Sequence, residues 1–331
     1  MRLAALIEAP GHVSARYRVE AFAGCLERAG CALTLQTIPR GALARIRLFT
    51  RLRGFDAVLL QRQLLAVPEL LYLRRMVRRL IYDFDDAMLY RDSYHPRGLH
   101  SRQRIRRFTA IVGAADTVIA GNQFLRQCAL NCGARAQAVR VIPTCIQPEK
   151  YPPRRTQPRP DGVELVWIGS SSTLSGLELQ RPLLANLARA IPGLRLRLIC
   201  DRFARFDPLP VIATPWQETS EASYLAEADV GISWIPDDAW SRGKCGLKLL
   251  QYGAAGLPAI ANPAGVHSEI IEHGVTGFLA ADEDQWIAAL RQLAASPAMR
   301  REMGEQARAR VEQRYAVAAN AAAFTSAVLG F

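Results

Sequence analysis

Short runs rich in Leu, Ile and Val alternate with longer segments of helical period along the whole chain, the pattern of parallel strands joined by crossover helices. In the first half, residues 2–8, 32–38, 56–61, 80–83, 117–120 and 139–142 read as strands. The stretch 147–161, QPEKYPPRRTQPRPD, holds five prolines in fifteen residues. Proline fixes φ and donates no hydrogen bond, so neither a helix nor an inner strand runs through it, and it is expected to be a hinge. The alternation then restarts with strands at 163–169, 195–200, 229–234, 258–261 and 277–280. The tail from 283 to 331 reads as helical throughout, with Trp286, Leu290 and Leu293 on one face. The expected architecture is α/β, two Rossmann-like doubly wound domains at 1–146 and 162–310, with the terminal helix 311–331 packing back on the first. Ligands of such sheets bind outside the carboxyl ends of the strands, so the working site is expected in a cleft between the domains.

Composition narrows the class. Half of the 331 residues are hydrophobic and the mean hydropathy is +0.02, which excludes wholesale disorder and a multi-span membrane protein. No run approaches the roughly 20 apolar residues of a spanning helix. The opening MRLAALIEAPGHVSARYR is too short in its hydrophobic run for a signal peptide, so a cytoplasmic location is expected. Seven cysteines at 25, 31, 128, 132, 145, 200 and 245 form no C-x-x-C pair and read as reduced thiols, Cys128 and Cys132 as packing rather than a metal site.

The charge is uneven. Residues 1–110 hold 20 arginines, no lysine and 9 carboxylates, a net +11 of the chain's +12. Such a field attracts phosphate-rich partners. Without a helix-turn-helix or an aromatic-rich RNA motif, nucleic acid is not expected. Segments 70–80 and 102–108 interleave arginine with Leu, Met, Ile and Phe, which suits a peripheral contact with an anionic membrane surface at the inner face of the cytoplasmic membrane.

Candidate chemistry concentrates at Trp240–Ala261. Read as a helix from about Gly243, this run places Lys244, Lys248 and Gln251 on one stripe, and it holds two of the chain's three lysines. Ammonium groups beside a helix N-terminus make a diphosphate cradle, and Gln251 would reach ribose hydroxyls. A second phosphate-facing turn is Gly169-Ser170-Ser171, where the glycine permits close backbone approach. Arg16 and Arg18, read as alternate residues of an extended segment, would share a face. Asp83, Asp85 and Asp86 end a strand. They would bind a metal, orient or deprotonate an acceptor hydroxyl, or cap a helix and pair with Arg62 or Arg91.

The run KCGLKLLQYGAAGLPAIANPAGVHSEIIEHGVTGFLA resembles the donor-site signature of glycosyltransferase family 4, the group 1 retaining transferases of GT-B fold. Arg16-Tyr-Arg18, Gln61-Arg62, Tyr82-Asp-Phe-Asp-Asp86, Gly121-Asn122, Ile142-Pro-Thr144 and Trp167-Ile-Gly-Ser170 resemble landmarks of a bacterial subgroup associated with polysaccharide assembly. The resemblance implies a UDP- or GDP-sugar donor held by the second domain and a lipid-linked or envelope-glycan acceptor held by the first. It implies that Lys248 neutralises the diphosphate, that Ser170 and Ser171 face the phosphates, and that Gly265 and Val266 offer N–H groups near the sugar with Glu269 close by. The expected catalytic set is Lys248, Arg16, Arg18 and Asp85, without a cofactor or an essential metal. The family usually shows two glutamates seven residues apart; Gly243 and Gln251 stand there instead. Either Asp237 or Asp238 supplies the missing contact, or Lys248 and Gln251 suffice, the reading favoured here. Alternatives within the fold are a sugar-nucleotide epimerase or phosphorylase, an inactive subunit, or an anionic-scaffold binding protein.

Overall fold

Strands whose side chains are buried on both faces read as unbroken apolar runs, and β1 (Arg2–Ile7), β3 (Ala57–Gln61), β4 (Leu80–Phe84) and β5 (Thr117–Ala120) are of this kind. With β2 (Ala32–Thr37) and β6 (Val139–Val141) they form a parallel sheet in the order β2-β1-β3-β4-β5-β6. The computed structural model describes residues 1–152 and 162–330. Of the proline-rich stretch 147–161, residues 153–161 therefore lie outside the described residues, as does Phe331.

The first unit comprises Met1–Cys145, Asp238–Cys245 and Val317–Phe331. Its helices are α1 (Val13–Arg18), α2 (Ala23–Arg28), α3 (Ala42–Arg51), α4 (Val67–Met76), α5 (Arg102–Ala114) and α6 (Gln123–Asn131). Ser101 and Asn122 begin α5 and α6 by accepting a backbone N–H through their side chains, each worth about 1 kcal/mol. The chain's last helix, α14 (Val317–Leu329), belongs to this unit. Phe324 stacks on Phe22 at 4.1 Å, and Arg79 donates to the carbonyls of Ala327 and Val328.

The second unit comprises Ile146–Asp237 and Gly246–Ala316. Its sheet runs β12-β11-β10-β7-β8-β9, all parallel. The strands are β7 (Glu164–Ile168), β8 (Arg195–Cys200), β9 (Val211–Pro215), β10 (Val230–Ser233), β11 (Ala259–Ala261) and β12 (Gly277–Leu279). The helices are α7 (Ser171–Glu178), α8 (Arg181–Ala190), α9 (Glu221–Ala226), α10 (Leu247–Ala254), α11 (His267–Ile270), α12 (Glu283–Ala295) and α13 (Pro297–Arg314). The chain leaves β7 toward β8 on one side and returns to β10 on the other. The switch point of this sheet is therefore the crevice between the carboxyl ends of β7 and β10.

Several sequence expectations change. Strand β9 was not anticipated: it is a half-exposed edge strand bounded by Pro210 and Pro215, and two prolines hide a strand that a sheet edge tolerates. The expected continuous tail is three helices, interrupted at Ser296, which caps α13, and at Tyr315–Ala316. Arg16 and Arg18 lie on α1, not on an extended segment; two residues along a helix turn about 200°, so they do not share a face. The expected helix from Gly243 begins at Leu247. Gly246, at φ +68°, turns the chain left-handed at the N-cap, and residues Asp238–Cys245 before it group with the first unit. Lys244 is thus off the helix, and the stripe shared with Lys248 and Gln251 does not form.

Candidate functional site

In the second unit, β7 delivers Gly169 to the switch point, and Ser170 begins α7. Lys248, the second residue of α10, sends Nζ to 4.7 Å from the Trp167 ring centre and 3.4 Å from Thr173 Oγ1. A Cβ at position 169 would stand 2.4 Å from Trp167 and 2.9 Å from Lys248 Nζ, so only glycine lets the ammonium lie across this turn. Ser170 Oγ meets Ser172 Oγ at 2.8 Å. Ser171 donates both its N–H and its hydroxyl to Asp201, at 2.6 and 2.8 Å. The Ser171 hydroxyl holds the Asp201 carboxyl below its ordinary range. Ser171 therefore faces a carboxylate where a phosphate was expected. Asp201 itself was missed, although an acid directly after a buried strand was its signal.

The third wall is the turn between β11 and α11. Gly265, at φ +51°, and Val266 sit at its tip, and their N–H groups have no intramolecular acceptor among the described residues. A Cβ on Gly246 would strike Ile270 at 2.3 Å and meet Val266 at 3.1 Å, so that glycine also lets α11 seat against the start of α10. Two side chains fix this turn. Asn262 accepts from the Ile235 N–H and donates to its carbonyl, tying the ends of β10 and β11 together. His267 bridges the Asn262 carbonyl through Nδ1 at 2.9 Å and Ser233 Oγ through Nε2 at 3.2 Å. Burial, reinforced by the nearby Lys248 charge, pushes the imidazole down to about 4. It is neutral, with Nδ1–H donating and Nε2 accepting. Sequence reasoning passed over His267, whose signal was its place directly after Gly265-Val266.

The structure thus brings Gly169, Ser170, Lys248 and the 265–266 turn to one rim. Other expected members stand apart. Gln251 is 4% exposed, and its amide donates to Tyr151 Oη, which in turn donates to Glu221; its side chain orders the interior rather than presenting an amide at the surface. The Glu269 side chain is exposed, while Arg310 holds its carbonyl.

The first unit carries a separate cluster at the ends of β3 and β4. Arg18, 2% exposed, grips Asp83 with Nε at 3.3 Å and Nη2 at 2.5 Å, and donates to the Ile142 carbonyl at 2.7 Å. Arg62 pairs with Asp85 at 3.1 Å and Asp86 at 2.6 Å, and bonds Ser14 Oγ. Lys244 pairs with Asp86 at 3.0 Å and lies 4.8 Å over the Trp240 ring. Burial alone would raise the Asp85 pKa, but Arg62, Arg18, Ser14 and Lys244 outweigh it and hold the carboxyl below its usual range. Asn122, besides capping α6, donates to the carbonyls of Arg242 and Lys244, which explains why Asp238–Cys245 joins this unit. Arg16 is half-buried, its guanidinium 5.2 Å over the Tyr17 ring. Every carboxylate of the 83–86 run faces a cation, and among the described residues no group of three or more His, Cys, Asp or Glu is placed to hold a metal ion.

Several solved structures are similar to this chain over nearly its whole length. The Anabaena protein Alr3699/HepE, solved with UDP and glucose, matches at TM-score 0.73 over all of both chains, with 15% identity. Sucrose-phosphate synthase from Thermosynechococcus elongatus matches at 0.75 over 98% of this chain and 97% of its own, with 17% identity. The lipopolysaccharide outer core galactosyltransferase WaaB matches at 0.68 over 100% and 99%, with 14% identity. The fold is GT-B. Residues 178–326 match the family model described as glycosyl transferase-like. No curated protein matches the sequence at significant similarity. The GT-B expectation is therefore met, with the glycosyl transferase-like match confined to the half of the chain that holds Lys248.

Proposed function

We propose that this chain is a glycosyltransferase that moves a hexose-type unit from a UDP- or GDP-sugar to a lipid-linked or envelope-glycan acceptor, with retention of configuration. The observation that carries the reading is Lys248 Nζ lying across Gly169 at the switch point of the second sheet. There it stands with the N-termini of α7 and α10 and the N–H groups of Gly265 and Val266. Helix N-termini and an ammonium favour a diphosphate. The complexes of Alr3699/HepE with UDP and with UDP-glucose support a nucleotide-sugar donor.

In this reading Lys248 neutralises the charge that grows on the departing diphosphate, the term that an electrostatic catalyst must supply. Gly265 and Val266 donate N–H groups toward the sugar. Ser170 meets a phosphate directly; Ser171 does so only when Asp201 yields its place. Asp85, held ionised, accepts a hydrogen bond from the acceptor hydroxyl and orients it. Arg18 does not touch substrate; it keeps Asp83 and the end of β4 in place. Lys244 and Arg62 share the Asp85–Asp86 carboxylates, and Gln251 acts as packing for α10.

The test is a binding split. A charge-assisted hydrogen bond contributes about 1.5–3 kcal/mol, so Lys248→Met is expected to weaken UDP or GDP binding by roughly 10- to 150-fold while uridine or guanosine changes by less than about twofold. Calorimetry of nucleotide and nucleoside side by side measures it, and equal losses overturn the reading. Donor hydrolysis assayed with and without EDTA checks the absence of a metal requirement.

A further inference from the structure

The sequence placed membrane contact on segments 70–80 and 102–108, and the structure removes their apolar residues from that role. Leu70, Leu73, Val77, Leu80 and Phe108 are buried, and Met76 and Ile105 pack against the same core. Leu71 alone of these stands out, at 56% exposed. Helix α3, in contrast, presents a free apolar face. Leu43 is 74% and Ile46 is 46% exposed, whereas Phe49 alone of its ten residues is buried. The helix is nevertheless fixed: Arg45 forms a two-point contact with Glu69 and bonds the Pro39 carbonyl, and Thr50 meets Tyr72 Oη at 2.8 Å.

Beside Leu43 and Ile46 lie arginines of a different standing. Arg40, Arg47 and Arg51 are exposed and have no carboxylate partner among the described residues. Leu43 and Arg47 are one turn apart, hence neighbours on the surface. A groove of about 260 Å³ runs between α3 and the end of β2, lined by Thr37, Pro39, Ala44, Arg47, Leu48 and Arg51. Between positions 40 and 79 the chain has ten arginines and two carboxylates.

We propose that α3, with the groove beside it, docks on the surface of an anionic phospholipid bilayer, Leu43 and Ile46 entering the acyl boundary and Arg47 and Arg51 meeting headgroup phosphates. Two exposed aliphatic side chains on a rigid helix beside unpaired guanidiniums form the composition of an interfacial helix. Among the described residues no helix is long and apolar enough to cross a membrane. The proposal goes beyond the donor-site reading and does not depend on it, since no residue of α3 belongs to that site.

Flotation of the full chain with phosphatidylglycerol–phosphatidylcholine vesicles, and with phosphatidylcholine alone, tests it at low and high salt. The protein is expected to float with the anionic vesicles at low salt and to stay in solution with the neutral ones. Leu43→Asp with Ile46→Asp is expected to lower partition by at least about tenfold. Arg47→Ser with Arg51→Ser should lower it by about fivefold per arginine removed. Arg102→Ser with Arg106→Ser, an equal charge change on exposed positions of α5, should change it by less than about twofold when compared at about 0.15 M salt, where headgroup attraction fades within about 8 Å. All substituted side chains are exposed, and matched thermal melts verify folding. The proposal is overturned if the parent stays in solution with anionic vesicles at low salt, if either α3 variant floats like the parent, or if the α5 control loses as much. It is also overturned if the α3 arginine variant loses binding to a single-stranded RNA probe while flotation is unchanged, which would make this a nucleic-acid surface.

Discussion

Protonation of His267 should loosen the second unit in a defined pH window. The imidazole is 2% exposed, with Nδ1–H spent on the Asn262 carbonyl and Nε2 accepting from Ser233. A proton on Nε2 would break the second bond and place a cation near Lys248. Burial holds the folded pKa at about 4, against an unfolded value near 6.5. The unfolded chain then binds the proton first, so stability is fully present above pH 6.5 and falls as pH drops toward 4. With those two values the loss relative to neutral pH is about 1 kcal/mol at pH 5.5 and about 3 kcal/mol at pH 4.5. Acid also protonates carboxylates such as Asp201 and Asp85, whose pKa values are held low, so the measurement must be a difference. His267→Gln can still donate to Asn262 and accept from Ser233 but does not titrate. Urea unfolding of both proteins between pH 7.5 and 4.5, followed by tryptophan fluorescence, isolates the term. Four of the five tryptophans (167, 216, 234 and 286) lie in the second unit, so the signal reports mainly on it. The parent-minus-variant stability should shrink by about 2–3 kcal/mol across that range. Two curves that stay parallel would refute the buried neutral imidazole.

Two further outcomes follow from contacts already described. Asp83→Asn leaves the Arg18 guanidinium buried without its counter-charge and should cost about 3–5 kcal/mol, seen as a fall in the first unit's unfolding midpoint; a loss under about 1 kcal/mol would show that water or another group reaches Arg18. Gly169→Ala puts a methyl at 2.9 Å from Lys248 Nζ and 2.4 Å from the buried Trp167 ring. It should weaken nucleoside diphosphate binding by about tenfold or more through displacement of Lys248, and unchanged calorimetric affinity would remove this turn from the donor site.

The strands were legible because both faces of most of them are buried, which writes an unbroken apolar run into the sequence. Strand β9 was not, since an edge strand needs little burial and accepts proline at its end. The grip of Lys248 on the Gly169 turn was foreshadowed by residue type and by resemblance, but the partition of the two lysines was not. A helical period carried through Gly246 puts Lys244 and Lys248 on one stripe, and only the left-handed backbone at that glycine separates them. The arginine pair at 16 and 18 misled for a related reason. Alternation reads as a shared face in a strand and as opposed faces in a helix, and the six-residue α1 is too short to show a period. His267 and Asp201 carried only a positional signal, one after Gly265-Val266 and the other after a buried strand; what each does there depends on partners distant in sequence, Ser233 and Ser171.

The charges of the two units therefore divide the work differently from what composition suggests. The first unit holds most of the net positive charge, yet at the ends of β3 and β4 three cations, Arg18, Arg62 and Lys244, face three carboxylates, Asp83, Asp85 and Asp86. That cluster is neutral as a whole and cannot be the attractor of a diphosphate; its value lies in fixed orientation. With Asp85 kept ionised by its neighbours, it accepts hydrogen bonds and does not donate a proton at neutral pH, which under the proposed reading restricts it to orienting an acceptor hydroxyl or taking its proton. The first unit's unbalanced arginines are instead spread over its surface, Arg47 and Arg51 of α3 and Arg102 and Arg106 of α5 among them, where they meet solvent. In the second unit, diphosphate recognition under the proposed reading falls to Lys248 and to helix N-termini, whose partial charges are fixed by the fold and cost no reorganisation when charge develops on the leaving group. A low overall charge in that unit is then no argument against donor binding, because the relevant field is built from one ammonium and oriented N–H groups at the β7–β10 switch point.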